Sequence, residues 1–189
     1  MRYLFLIILP LVLSFARMGC ADGAFGLEFG QAIPETANEK SDGFYYLKPP
    51  KTHPEFETYV ISGSDSFGVC RISAIGKDHN DDEWGLSIKA KYEEIIKALE
   101  KKYGVGEREE FLRPGALYDD PEDFSRAISK NQRIHQIYWE NVSDGPTGLN
   151  DLFLTVKADW EDTYIIIQYR SNSYNDCKIE YMEKANDAF

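Results

Sequence analysis

Between residues 56 and 103 the apolar pattern of this chain changes period, and that change restricts what it can fold into more than any other feature. Runs 56–61 and 67–75 are rich in β-branched and aromatic residues, and the turn-forming Gly63-Ser64-Asp65 separates them. This is the pattern of two antiparallel strands. In the second run Cys70, Ile72 and Ala74 alternate with other residues and are expected to share one face. The period then becomes helical. Ile88, Tyr92, Ile95, Ile96, Leu99 and Tyr103 recur at three- and four-residue steps, Glu93 and Lys97 pair on the wet side, and Gly104 supplies the stop. A hairpin followed by such a helix must stack the two, since each has one apolar face to bury.

A similar succession returns downstream. Strand character covers 133–139, followed by a hairpin in which Leu152, Leu154, Val156 and Ala158 match Ile165, Ile167 and Tyr169. A last helix is expected from about Ser173, with Ser173 and Asp176 as a capping box and Tyr174, Cys177, Tyr181, Ala185 and Ala188 along one side. Between the units, Asp120-Pro121 suits the opening of a short helix. Before them, 25–30 reads as an edge strand or lead-in, 31–42 as loop, and 44–48 as a strand stopped by Pro49-Pro50. The expected fold class is therefore α+β. A single antiparallel sheet is built from two successive strand-hairpin/helix units, 56–103 and 133–188, with the helices packed on one face.

The first 21 residues have the form of a signal peptide. Arg2 precedes an apolar run over 4–13, and Gly19 and Ala21 place small residues at the −3 and −1 positions of a cleavage site. A retained membrane anchor is the rival reading, disfavoured by the short apolar run, and a lipidated Cys20, disfavoured by Arg17, ranks lower. Cleavage after Ala21 would leave 22–189 as one domain, exported to the periplasm or beyond the cell, with no membrane insertion. The whole chain carries 21 basic and 32 acidic residues, a net charge of −11. Loss of Arg2 and Arg17 leaves 19 against 32, or −13. Such a balance excludes a nucleic-acid partner and disfavours an anionic membrane surface, while it steers the chain toward a basic protein.

After cleavage two cysteines remain, Cys70 and Cys177, both on apolar faces. In an oxidising compartment such a pair is expected to form a disulfide. The three histidines, His53, His79 and His135, fit no zinc spacing, and His135 shares its strand face with Ile137 and Trp139 as a packing residue would. Asp78, Asn80 and Asp82 reproduce the first three oxygen ligands of a calcium loop. Glu83 then stands where that loop needs glycine, and Lys89 where it needs a bidentate acid. An EF-hand is thereby rejected, leaving those three residues as candidates for a weak calcium site. The acids Asp119, Asp120, Glu122 and Asp123 are explained by helix capping. Gly63-Ser64-Asp65-Ser66-Phe67-Gly68 is not a nucleophile elbow, since it sits in a hairpin turn. No catalytic residue and no cofactor is assigned.

The segments Gly68-Val69-Cys70-Arg71-Ile72-Ser73-Ala74-Ile75-Gly76-Lys77 and Leu99-Glu100-Lys101-Lys102-Tyr103-Gly104 resemble a strand and a helix end of small exported bacterial proteins. The resemblance runs from about Phe25 to the last helix and implies an envelope location. No activity is attached to that group, so no functional residue carries across. Together these readings point to a non-enzymatic, acidic, exported binding protein, such as an inhibitor or an immunity-type module. The alternatives are an envelope hydrolase using paired carboxylates and a calcium-dependent structural protein.

Overall fold

The computed structural model describes residues 22–186 apart from Asp42 and residues 144–146, and apart from the side chains of 185 and 186. The leader 1–21, with Cys20 and the cleavage point after Ala21, lies outside the described residues, as do Ala188 and the side chain of Ala185.

Two short strands open the fold, β1 (Gly23–Ala24) and β2 (Leu27–Glu28), paired as a separate ribbon. Next come β3 (Asn38–Ser41), β4 (Phe44–Tyr46), β5 (Phe56–Ser64) and β6 (Gly68–Gly76), and then α1 (Leu86–Tyr103). The second half runs through β7 (Glu107–Leu112), a 3-10 turn Pro121–Asp123 leading into α2 (Phe124–Ser129), and β8 (Arg133–Glu140). It ends with β9 (Leu149–Asp159), β10 (Asp162–Ser171) and α3 (Tyr174–Asn186).

Strands β3 to β10 make one eight-stranded sheet in the order β3-β4-β5-β6-β10-β9-β8-β7, and every neighbouring pair is antiparallel. Two four-stranded meanders, each followed by a helix, thus meet at β6 and β10. The fold is α+β and mostly antiparallel, as the sequence implied. The expectation of a single sheet is corrected by the β1–β2 ribbon, which forms its own two-stranded sheet.

Cross-strand register explains the core. Trp139, Leu152, Tyr169, Ile72, Ile61 and Tyr45 form one continuous row, because each is the register partner of the next. Ile137, Leu154, Ile167, Ala74 and Tyr59 form the next row. Period-two alternation puts both rows on one face. Helix α1 covers them with Ile88, Tyr92, Ile95, Ile96 and Leu99, and α2 adds Phe124 and Ile128. Gly104 ends α1 with φ 82° and donates its N–H to the Glu100 carbonyl.

Not all helices share that face. The register slips between Ser62 and Gly63, so that Cys70 becomes the extra residue of a β-bulge. A bulge re-aims its side chain. Val69, Ile72 and Ala74 stay in the main core, while Cys70 joins Cys177 and Tyr181 in a second cluster with Phe44, Phe67 and Tyr174. Phe44 is the register partner of Ser62 and Ser62 of Arg71, which places this cluster on the reverse face. Helix α3 therefore lies across the reverse face over β5 and β6, and the expectation of helices on one face is corrected. The shared face proposed for Cys70, Ile72 and Ala74 fails for the same reason. The disulfide itself is present, Cys70 to Cys177, with Cα atoms 6.5 Å apart.

Candidate functional site: the open half of the reverse face

Helix α3 lies mainly over the β5–β6 side of the reverse face and reaches β10 at Arg170, while the reverse side of β7 to β9 is uncovered by the helices of the described residues. The same registers that build the core lay out this surface. One row reads Glu107, Tyr138, Phe153, Gln168 and Ser73; the next reads Glu140, Asp151, Arg170 and Arg71; a third begins Glu109, Gln136, Thr155. Within these rows Tyr138 and Phe153, with Glu109, Gln136, Glu140, Asp151 and Arg170, line a depression of about 410 Å³. A second depression of about 400 Å³ shares Tyr138 and Glu140 and continues round the β7 edge to Val105, which is 88% exposed.

The carboxylates here are in different states. Asp151, nearly buried, takes a 2.6 Å hydrogen bond from Arg170 Nε, and the Arg170 guanidinium also lies over the Phe153 ring at 5.6 Å. Gln136 Nε2 donates to Glu109 at 2.6 Å. Hydrogen bonding to Glu107, with smaller contributions from burial and from Glu109 and Glu140, pushes the Tyr138 hydroxyl up to about 12. Three acids therefore surround Tyr138, and no Lys or Arg of the described residues sits over its ring. Elsewhere on this face the chain fills the same combination of ring and acid with its own Arg170. The surface can thus receive a cation by ion pairing and ring contact together.

The residues singled out in the sequence lie elsewhere. Asp82 is turned inward at 8% exposure and accepts from the N–H groups of Ser87 and Ile88, and from Thr163 Oγ1. It thereby caps α1, whose own N-cap position is Gly85 at φ 66°. Asp78 and Asn80 remain on the surface, and no group of three His, Cys, Asp or Glu side chains able to hold a metal forms among the described residues. His135 packs between the rings of Tyr92 (4.7 Å) and Phe124 (5.3 Å), and burial lowers its pKa below the ordinary 6.5. His53 accepts from the Glu55 N–H through Nδ1.

One arrangement was invisible in the sequence because its members are scattered. His79 Nδ1 lies 2.5 Å from Ser87 Oγ, and its Nε2 lies 2.9 Å from Glu55. A serine–histidine–acid chain is the geometry of an activated nucleophile. Catalysis by it also needs donors for an oxyanion. The adjacent helix-start amides of Ser87 and Ile88 are already engaged by Asp82. With the backbone bridge between His79 and Thr163, the set works as a clip joining the lead-in to β5, β10 and the start of α1.

Comparison with protein-family models, with curated proteins and with solved structures finds no match. Among the described residues no helix is long and apolar enough to cross a membrane. The protein is α+β, with one sheet face packed and half of the other open, acidic and aromatic.

Proposed function

We propose that this chain is an exported, non-enzymatic binding protein that docks a basic protein partner on the open half of its sheet. The observation that carries the reading is the cluster of Glu107, Glu109 and Glu140 around Tyr138, next to a Phe153–Asp151 pair that already holds a guanidinium. Interfaces favour aromatic residues at the centre with charge complementarity setting partner choice and encounter rate. The chain's overall net charge of −11 acts in the same direction, and an inhibitor or immunity-type role fits a rigid, disulfide-bonded acidic surface. The test is charge reversal in pairs. Glu109→Lys with Glu140→Lys should abolish salt-sensitive binding to the partner recovered from the native host, whereas Glu100→Lys with Glu94→Lys on α1 should not. Equal loss from both pairs would show bulk charge at work, and no loss from the first would remove the site.

A second reading has one observation in its favour: Glu109, Glu140 and Asp151 line a single depression, as a hydrolase with paired carboxylates requires. Turnover of envelope glycan by the intact protein, lost in Glu140→Gln, would replace the binding reading.

A further inference from the structure

The clip of Ser87, His79 and Glu55 runs from solvent to interior. Ser87 is exposed in the first turn of α1, the His79 side chain is 16% exposed, and Glu55 is buried. A hydroxyl activated by a histidine that a buried acid orients has this order. Each member is also pinned at its backbone. His79 exchanges two hydrogen bonds with Thr163, donating at 2.7 Å and accepting at 3.1 Å. The Glu55 carbonyl accepts from the Lys77 N–H, and the Glu55 N–H donates to His53 Nδ1. The Ser87 N–H donates to Asp82. Groups fixed in this way meet a reactant without first reorganising.

The acid decides which ring nitrogen is the base. A carboxylate only accepts, so His79 Nε2, 2.9 Å from Glu55 Oε1, carries the proton of the neutral ring. The lone pair is then on Nδ1, and the Ser87 hydroxyl 2.5 Å away donates to it. Two further features bear on what reacts here. Leu86, 70% exposed, and Trp84, 47% exposed, precede Ser87 by one and three residues and leave apolar surface for an uncharged reactant. The amides of Ser87 and Ile88, which would otherwise hold an oxyanion, donate to Asp82. A nucleophile without such donors is open to esters with good leaving groups and is slow to release the acyl group afterwards.

We propose that Ser87 is an acyl acceptor, modified once by small aryl esters, with His79 Nδ1 as general base and Glu55 as the positioning acid. The Ser87 oxygen attacks the acyl carbon while its proton passes to Nδ1. The bond from that carbon to the aryl oxygen breaks, and its electron pair leaves with the oxygen as a phenolate. The Nδ1 proton then passes to the phenolate or to water. The products are a Ser87 ester and a free phenol, and no oxidant or further reactant takes part. The clip lies at the start of α1 and the acidic surface on the reverse of the sheet, so either reading stands without the other.

The test treats the intact, disulfide-bonded protein with p-nitrophenyl acetate and locates acetyl groups by peptide mass spectrometry, with hydroxylamine separating serine esters from lysine amides. Ser87 should be acetylated about 100-fold faster than Ser66, an exposed serine of the β5–β6 turn, which is the advantage a positioned base supplies. The Ser87 ester should accumulate. His79→Ala should remove the advantage. Glu55→Gln should reduce it by about tenfold or more, because an amide can donate to Nε2 and move the ring proton onto Nδ1. Acetylation of Ser66 should be the same in all three proteins. A Ser87 rate less than about tenfold above that of Ser66 overturns the proposal. So does an unchanged Ser87 rate in His79→Ala or Glu55→Gln. The comparison of Ser87 with Ser66 in the unaltered protein decides alone if both variants fail to fold.

Discussion

Replacing Cys177 with serine should act on two levels, and their separation tests the architecture. The Cys70–Cys177 bond joins positions 107 residues apart. In the chain-entropy account, closing a loop of that length removes about 4.7 kcal/mol of unfolded-state freedom. Both sulfurs belong to a cluster that shares no buried residue with the main core, and α3 meets the sheet chiefly over β5 and β6. Without the bond, α3 is held by Tyr181 against Gly43 and Phe44, by Tyr174 beside Arg71, and by surface contacts such as Glu180 to the Ser66 N–H. Cys177→Ser should therefore cost about 3–5 kcal/mol in urea unfolding. It should also free α3 before the rest, seen as faster amide exchange over 174–184 while α1 stays protected. Trp84, Trp139 and Trp160 lie outside the α3 cluster. Their fluorescence should thus report a later transition than exchange in α3. A loss below about 1 kcal/mol with α3 protection unchanged would refute the reasoning, since the helix would then be held by something other than the bond.

Four further outcomes follow from single contacts. Leu99→Ala, at an 8%-exposed core position under α1, should lower stability by about 2–5 kcal/mol in chemical denaturation. Asp82→Ala removes the acceptor of two helix-start amides and of the Thr163 hydroxyl, and should cost about 2–4 kcal/mol with early fraying of α1 by amide exchange. Gly85→Ala should lower the melting temperature by several degrees, because its φ is +66° and a Cβ would sit 2.1 Å from the Phe124 ring. His135 is held below its ordinary 6.5 by burial and by Lys89 and Arg133, against the opposite pull of Glu110 and Glu93. The unfolded chain then takes up the proton first, so stability should fall as pH drops below about 6.5, and His135→Phe should flatten that limb of the curve.

The parts legible in the sequence are those where one face is dry. Ile165, Ile167 and Tyr169 do match Val156, Leu154 and Leu152 in register, and α1 begins two residues before the first periodic position, at Leu86. Strand β7 carries no sequence signal, because Glu107–Leu112 reads Glu-Arg-Glu-Glu-Phe-Leu, charged on both faces as suits an edge strand, and shows no apolar alternation. Strand β3, wholly exposed at the opposite edge, looks like loop in the sequence for the same reason. The placement of α3 was illegible for a different one. A single extra residue at Cys70 reverses which face the cysteine serves, and alternation carries no mark of a bulge.

The candidate site follows from this last point. Without the bulge, Cys70 would lie beneath α1 with Ile72, and a disulfide there would draw α3 to the side of the sheet that α1 and α2 occupy. The reverse face would then have no helix at all. With the bulge, α3 covers Phe44, Ser62 and Arg71 at one end and stops short of Tyr138 and Glu140. Arg170 marks the boundary: its guanidinium faces the Tyr174 ring of α3 on one side and the Phe153 ring and Asp151 on the other. The chain's own cations are thus used up to that line, and beyond it Glu107, Glu109 and Glu140 surround a ring without one. Acids so placed repel one another in the free protein, and a partner's Lys or Arg would relieve that repulsion on docking. It follows that Glu140→Gln should stabilise the isolated protein slightly, within about 0.5 kcal/mol, while weakening partner binding and flattening its salt dependence. If Glu140→Gln instead destabilises the free protein and leaves binding unchanged, the carboxylate belongs to the fold and the open face is not where the partner sits.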